Sequence, residues 1–192
     1  MNFHYLRLNV FPEGSPEALG WRHLDDQQKR FEILSGVDDM SYSTILDLGC
    51  GYGDLKTFLD KKFNDFIYVG IDIIPEYIDT ANAKFKDANN TYFFQKDITA
   101  FEIPVTDYIL ACGLMAYKTD DPEFYFQMIK RMYDSASKAV AFNMLDSNTF
   151  QSDDLLIAHN PESIIEYCKK ITPQIKLITN YGVDDFTIFM YK

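Results

Sequence analysis

The sequence predicts an α/β protein that forms a single domain around a doubly wound, largely parallel sheet. Short apolar runs alternate with segments of helical hydrophobic spacing, and the early runs are apolar almost throughout. Continuous apolar strands are typical of a parallel sheet that helices cover on both faces. The length of 192 residues fits one domain. We divide this domain only into an N-terminal arm with its helix (residues 1–40) and a core (residues 41–192).

Five strands of parallel type are predicted in the core, over residues 44–48, 66–71, 91–95, 107–112 and 138–145. Helices are expected after the glycines that follow the first strand and at Pro75, Asp121-Pro122 and Pro161, since proline suits the first turn of a helix. Two more strands, 174–181 and 185–192, lie too close together for a crossover helix. They must therefore form an antiparallel hairpin.

The prediction for the N-terminal arm rests on its proline and glycine residues and not on a hydrophobic periodicity. Residues 1–22 contain Pro, Gly and aromatic residues, which favours an irregular segment with turns at Pro12–Gly14. From Asp25 to about Val37 the apolar residues recur at helical spacing, and Asp25 or Asp26 is the expected N-cap.

The charge balance of the chain disfavours some classes of binding partner. The chain has 18 basic and 29 acidic residues, a formal net charge of −11. Such a charge repels nucleic acids and anionic membranes. No apolar run approaches the roughly 18 residues of a membrane-spanning helix, and the N-terminus does not resemble a signal peptide. We expect a cytoplasmic protein without nucleic-acid or membrane partners.

The cysteines carry little information. Cys50, Cys112 and Cys168 are far apart, odd in number and without metal-ligand spacing. Free buried thiols in a reducing compartment are the expectation, and no metal site is predicted.

The sequence Asp47-Leu48-Gly49-Cys50-Gly51-Tyr52-Gly53 lies where the first strand meets the next helix. A dinucleotide-binding loop would place its third glycine one residue later and seat a pyrophosphate on the helix N-terminus. That later position holds Asp54, and Asp47 adds a second negative charge before the turn. The loop therefore favours a ligand with a cationic end that lacks phosphate.

Two more carboxylates follow neighbouring strands. Asp72 comes at the tip of the second strand, where a carboxylate can accept hydrogen bonds from both hydroxyls of a ribose. Next to it, Ile73 can pack against a purine. Asp97, at the tip of the third strand, can accept from an adenine amine, and the N–H of Ile98 can serve a ring nitrogen. These residues predict an adenosine site.

The motifs now point to one family. ILDLGCGYGDL, VGIDI, FFQKDI and DYILACGLMAY resemble motifs I to IV of the class I S-adenosylmethionine-dependent methyltransferases, and the resemblance covers about residues 40–192. It implies a Rossmann-like seven-stranded sheet of order 3-2-1-4-5-7-6 with strand 7 antiparallel. It also implies S-adenosylmethionine as cofactor and S-adenosylhomocysteine as product. The arm and the closing strand resemble a group of small bacterial and phage members, which gives no substrate.

The resemblance assigns further cofactor contacts. It places Asp47 near the methionine part, with Gly49, Cys50, Gly51 and Gly53 along that part as backbone. Cys112 and Gly113 resemble the position whose carbonyl receives the cofactor ammonium.

The N-terminal helix and its flanks are expected to form a lid. A donor is needed for the cofactor carboxylate, and the guanidinium of Arg30 is well suited to it, with Gln27 as a further candidate. Trp21, His23 and Tyr117 are candidates for contact with the acceptor.

No catalytic base is assigned. The candidates are His23, because histidine is the residue type most often used as a general base, and Tyr117 and Asn143, which lie near the carboxyl ends of strands four and five. His4 and His159 have no evident partners in the sequence.

The choice among classes of methyl acceptor rests mainly on two sequences that motif IV lacks. Family members that methylate base amines carry Asn/Asp-Pro-Pro-aromatic there, and this chain has neither that sequence nor a Pro-Cys nucleophile. A small-molecule acceptor is therefore favoured, with a protein or peptide side chain as the other acceptor class. Two alternatives stay open: a non-catalytic S-adenosylmethionine-binding protein and a nicotinamide-dependent oxidoreductase.

Overall fold

The computed structural model describes residues 2–21 and 23–192. In this part of the chain the helices are α1 (Asn2–Val10), α2 (Leu24–Leu34), α3 (Asp54–Leu59), α4 (Pro75–Lys84), α5 (Phe124–Ser135) and α6 (Pro161–Lys169), with a 3₁₀ turn at Leu114–Ala116. The strands are β1 (Thr44–Leu48), β2 (Ile67–Asp72), β3 (Thr91–Gln95), β4 (Thr106–Ala111), β5 (Ala136–Asp146), β6 (Ala158–His159), β7 (Ile175–Ile178) and β8 (Asp185–Tyr191).

The strands form one sheet in the order β3-β2-β1-β4-β5-β8-β7. The strands β1 to β5 pair in parallel, and β8 pairs antiparallel with β5 and β7, which confirms the predicted fold and the terminal hairpin. The predicted count of seven strands was one short, because β6 pairs with the end of β5 over two residues. Two residues are too few to give a periodic signal.

The arm differs from its prediction. A helix, α1, occupies residues that were expected to be irregular, and turns follow it up to Trp21. Its sequence, NFHYLRLNV, has weak helix formers and no clear apolar stripe. Tertiary contacts stabilise it instead: the ring of Phe3 packs against Tyr117 and that of His4 against Tyr77.

The second helix is shorter than expected. It begins at Leu24 and ends at Leu34, and its N-cap is His23, without a side-chain cap hydrogen bond. Asp25 and Asp26 lie in the first turn, where their charges favour the helix dipole.

Helices cover both faces of the sheet and create two apolar layers. One layer joins Leu46, Ile109 and Phe142 to α5 and α6. The other joins Ile45, Tyr68 and Phe189 to α2, α3 and α4. Because β1 to β4 are parallel neighbours, their carboxyl ends open at one edge of the sheet, the usual ligand position in such folds. Among the residues described, no helix is both long and apolar enough to cross a bilayer.

Candidate active site

A cavity of about 980 Å³ opens at the carboxyl ends of the strands, and the N-terminal arm closes part of it. It brings together most of the residues predicted for the site: Trp21, Gln27, Arg30, Asp47, Gly49, Cys50, Gly51, Asp72, Ile73, Asp97, Ile98, Cys112, Gly113 and Tyr117. Three predicted residues, His23, Gly53 and Asn143, are not part of its lining.

The glycine loop is fixed to the tip of β2 by hydrogen bonds. The N–H groups of Gly49 and Cys50 both donate to the carbonyl of Ile71, at 2.8 and 3.0 Å. Asp72 accepts from the N–H of Gly51 and of Ile74, each at 3.0 Å, through different carboxylate oxygens. Burial raises the pKa of Asp72, although these backbone donors oppose the shift. A carboxylate has more than one acceptor direction per oxygen, so both oxygens can also accept from a ligand.

Asp47 lies buried beneath the loop. Its Oδ2 accepts from the hydroxyl of Tyr68. Its Oδ1 is also buried, and no group in the described part of the chain donates to it. Burial raises the pKa of Asp47 to about 7; the Tyr68 hydrogen bond opposes this shift and the charge of Asp72 adds to it. A buried acceptor without a donor is costly, and a cationic ligand would satisfy it.

The loop after β3 is also ordered by hydrogen bonds. Asp97 accepts at Oδ1 from the N–H and the hydroxyl of Thr99, at 2.9 and 2.7 Å. The carbonyl of Ile98 accepts from Arg131 at 2.7 Å. Both bonds to Asp97 fall on the same oxygen, so its Oδ2 can accept from a ligand.

A chain of hydrogen bonds reaches the turn after β4. The N–H of Gly113 donates to Oδ1 of Asn143 at 2.8 Å, and the amide of Asn143 donates to Asp185. Arg30 donates to both oxygens of Asp185, each at 2.7 Å. Burial disfavours the charged form of Arg30, but its bonds to Asp185 outweigh that and raise its pKa. The network links α2, β5, β8 and the cavity wall.

Comparisons with known proteins agree with this geometry. Residues 45–135 match the family model described as a methyltransferase domain. A Mycobacterium tuberculosis protein named "Putative methyltransferase Rv1506c" is 33% identical over 170 residues, which cover 83% of this chain and 98% of that protein. The chain belongs to the class I S-adenosylmethionine-dependent methyltransferase family.

Solved structures show the same fold. Magnesium protoporphyrin IX methyltransferase from Synechocystis PCC 6803, crystallised with S-adenosylhomocysteine, superposes with a TM-score of 0.72 at 13% identity, over 100% of this chain and 94% of that one. A DhpI complex with S-adenosylmethionine superposes with a TM-score of 0.73 at 12% identity, over 98% and 94% of the two chains.

The donor and acceptor set of this methyltransferase suits its cofactor, S-adenosylmethionine. The unsatisfied Oδ1 of Asp47 fits an ammonium group, and Asp72 lies one strand away with oxygens suited to two hydroxyls. Burial raises the pKa of the Cys50 and Cys112 thiols, so both stay protonated and act as small packing groups.

Three predicted residues have other surroundings in this methyltransferase. His23 is exposed at the start of α2. Asn143 is buried behind the turn at Gly113 and supports it. Gly53, with φ 72°, begins α3, and a Cβ there would lie 2.7 Å from Phe93 and 2.8 Å from Phe85. Its missing side chain makes room for the core rather than for a ligand.

The arm supplies cavity residues that the sequence did not reveal, namely Phe3, His4 and Leu19. A Cβ at Gly51 would lie 2.7 Å from Leu19, and one at Gly113 would lie 2.9 Å from Trp21. The arm therefore packs closely on both glycine turns. Only the aromatic and apolar content of residues 1–22 could have indicated this role.

We expect Gly53→Ala to destabilise the methyltransferase by about 1–3 kcal/mol more than Gly182→Ala in urea unfolding. Both glycines have positive φ, 72° and 90°, so both variants strain the backbone. A Cβ at Gly182 meets no atom within 4 Å, whereas one at Gly53 meets Phe93 and Phe85. Equal losses would show that Gly53 is retained only for its backbone conformation.

Removing either partner of the Arg30–Asp185 pair should leave the other buried charge without its counter-ion. We expect Arg30→Met and Asp185→Asn each to cost about 3 kcal/mol of unfolding free energy. The double variant should cost clearly less than the sum, because neither charge is then left alone. Additive losses in a double-mutant cycle would contradict a direct interaction.

Proposed function

We propose that the protein transfers a methyl group from S-adenosylmethionine to a small molecule, in a cavity that the N-terminal arm covers. The observation that carries this proposal is the buried, unsatisfied oxygen of Asp47 beneath the glycine loop. An ammonium group of the cofactor would satisfy it, and the loop offers no cationic side chain for a pyrophosphate. The family membership supports the same reaction.

The remaining proposed cofactor contacts come from residues at the carboxyl ends of the strands. Asp72 accepts from the ribose hydroxyls, and Asp97 with the N–H of Ile98 binds the adenine, against which Ile73 packs. Gly49, Cys50 and Gly51 lie along the methionine part as backbone, with the carbonyl side of Cys112 and Gly113 opposite. When bound, the cofactor supplies an electrophilic methyl group on a positively charged sulfur.

The guanidinium of Arg30, the expected donor to the cofactor carboxylate, already has protein partners. Two of its nitrogens donate to Asp185, and the third donates to the carbonyl of Asp26 at 3.2 Å. Its guanidinium also lies 5.0 Å from the ring of Trp21. A cofactor carboxylate would have to share these donors, so we assign Arg30 first to holding α2 and Trp21 in place.

The arm acts as the lid. Leu19 and Trp21 lie against Gly51 and Gly113, and the hydroxyl of Tyr77 anchors the arm by donating to the carbonyl of Ala18 at 2.9 Å. Cofactor and acceptor therefore enter when the arm moves away from the glycine turns, and closure excludes water from the reacting groups.

The charges of the cavity favour a neutral or cationic acceptor. Among the described residues that line it, seven are acidic and two are basic: Asp26, Asp47, Asp54, Asp72, Asp97, Asp184 and Asp185 against Arg30 and Lys118. Arg30 is already paired with Asp185. Aromatic rings from the arm and from Tyr117 add flat apolar walls, which suit a small planar molecule.

The chain contributes to the reaction mainly by placing the acceptor and excluding water. Burial raises the pKa of Tyr117 to about 12, so its hydroxyl stays protonated and can donate a hydrogen bond but cannot act as a base at neutral pH. Neither His23 nor Asn143 lines the cavity.

Calorimetry with S-adenosylhomocysteine tests the cofactor assignment. We expect binding to the wild type, and an affinity about tenfold or more lower for Asp72→Ala, because a charged acceptor for two hydroxyls is lost. Asp134→Ala, at an exposed position on α5, is the matched control. Unchanged affinity in Asp72→Ala would refute the assignment. Tighter binding of NAD would favour an oxidoreductase, and binding without S-adenosylhomocysteine release over a panel of acceptors would favour a non-catalytic protein.

The raised pKa of Asp47 predicts a pH-dependent affinity. The ammonium of S-adenosylhomocysteine needs the carboxylate form, so affinity should rise about tenfold from pH 6 to pH 8 and proton release should accompany binding. Asp47→Asn should bind weakly and lose this pH dependence. A wild-type affinity that is flat across this range would refute the contact.

The contribution of Asp47 to folding stability should fall as the pH rises, whereas the affinity for S-adenosylhomocysteine should rise. Because the folded-state pKa of Asp47 lies above its unfolded value, this group's contribution is full at low pH and is lost as pH rises through about 7. Thermal unfolding should therefore show that Asp47→Asn gains stability over the wild type as the pH rises from 5 to 8. A constant difference between the two proteins would contradict the raised pKa.

A further inference from the structure

A short chain of hydrogen bonds fixes the tautomer of His4. The hydroxyl of Tyr77 donates its only hydrogen to the carbonyl of Ala18 at 2.9 Å. Nδ1 of His4 lies 3.2 Å from the same hydroxyl oxygen. Since that hydrogen is already used, the bond to His4 requires Nδ1 to be the donor. In neutral His4 the lone pair available to a ligand is therefore on Nε2.

His4 is held among aromatic rings at the cavity. Its ring centroid lies 5.0 Å from that of Tyr117, 5.3 Å from Phe3 and 5.9 Å from Tyr77, with steep angles between the ring planes. Phe3 and Tyr117 are themselves 6.1 Å apart. An aromatic subsite at the cavity therefore consists of Phe3, His4, Tyr77 and Tyr117. In the described part of the chain, the hydrogen bond of the His4 ring uses Nδ1, and Nε2 has no partner.

The imidazole is neutral at physiological pH. Burial lowers the pKa of His4 to about 4, and the positive charge of Arg7 on the same helix adds to the shift. In the described part of the chain, Tyr77 and Tyr117 also face it, and both stay protonated because burial raises their pKa values. With so low a proton affinity, His4 is suited to accept a hydrogen bond and not to take up a proton.

We propose that Nε2 of His4 accepts a hydrogen bond from the O–H or N–H of a flat aromatic acceptor that lies in the cavity against the Phe3–Tyr117 pair. The inference rests on the proposed function in that it treats this ligand as the methyl acceptor. His4 would then be an acceptor-binding residue that orients the acceptor ring. Because α1 carries it, the subsite is complete only when the arm lies on the core, which links recognition to closure.

The tautomer is tested without any ligand. Long-range ¹⁵N–¹H NMR of the free protein at pH 7 should show a histidine signal with the proton on Nδ1 that His4→Phe removes. In Tyr77→Phe the partner of Nδ1 is lost, and the His4 proton should shift towards Nε2. A protonated Nε2 on His4 in the wild type would overturn the proposal.

The subsite is tested with paired probes on protein saturated with S-adenosylhomocysteine. Phenol and anisole share a ring, but only phenol can donate a hydrogen bond. We expect phenol to bind about three- to tenfold more tightly than anisole to the wild type, with the shift of the His4 resonances reporting the site. In His4→Phe this difference should vanish.

Tyr5→Phe provides the matched control, because Tyr5 is an exposed neighbour on α1. It should keep the preference for phenol. Equal affinities of phenol and anisole for the wild type, or a preference that persists in His4→Phe, would overturn the proposal. If S-adenosylhomocysteine fails to bind, the proposed function fails, whereas the comparison of phenol with anisole on the free protein still decides the subsite.

Discussion

The organisation of the site depends on a carboxylate that the fold keeps out of water. Asp47 ends up under the glycine loop because it is the fourth residue of a fully covered central strand. Ionising it there costs free energy, and the hydroxyl of Tyr68 compensates only one oxygen. A sequence selected for stability alone would place an apolar residue at this position. A carboxylate at this position is explained if a cationic ligand supplies the missing partner. Binding sites commonly contain residues that lower stability and serve function.

The N-terminal arm, which carries His4, also depends on its contacts with the core. Its helix has too little intrinsic propensity to form alone, and its contacts with the core include the bond from Tyr77 to the carbonyl of Ala18. That bond holds the arm in place. Because it uses the hydroxyl hydrogen of Tyr77, Nδ1 of His4 must be the donor to Tyr77, and Nε2 keeps its lone pair. One tyrosine on α4 thus contributes both to the position of the arm and to the tautomer of His4.

The sheet and its ligand edge could be predicted because they depend on local patterns. Apolar strands, glycine turns and carboxylates at successive strand tips are contiguous in sequence, and parallel topology brings Asp47, Asp72 and Asp97 to one edge. Features that depend on distant partners could not be predicted. Arg30 meets Asp185 across 155 positions, and Gly53 faces Phe93 rather than a ligand. The helix α1 depends on tertiary contacts, and β6 is too short to leave a pattern.

The Arg30–Asp185 pair also bears on acceptor chemistry. An unpaired arginine in the cavity would attract carboxylates or phosphates, because its planar donors match them. Here both oxygens of Asp185 occupy those donors, and the side chain of Asn143 adds a third hydrogen bond to the same carboxylate. The cavity is then left with an excess of acidic groups, aromatic walls and a neutral imidazole. Among the described lining residues, Lys118 alone would remain to offset the repulsion that an anionic acceptor meets, whereas a neutral aromatic donor would find both a stacking surface and a hydrogen-bond acceptor.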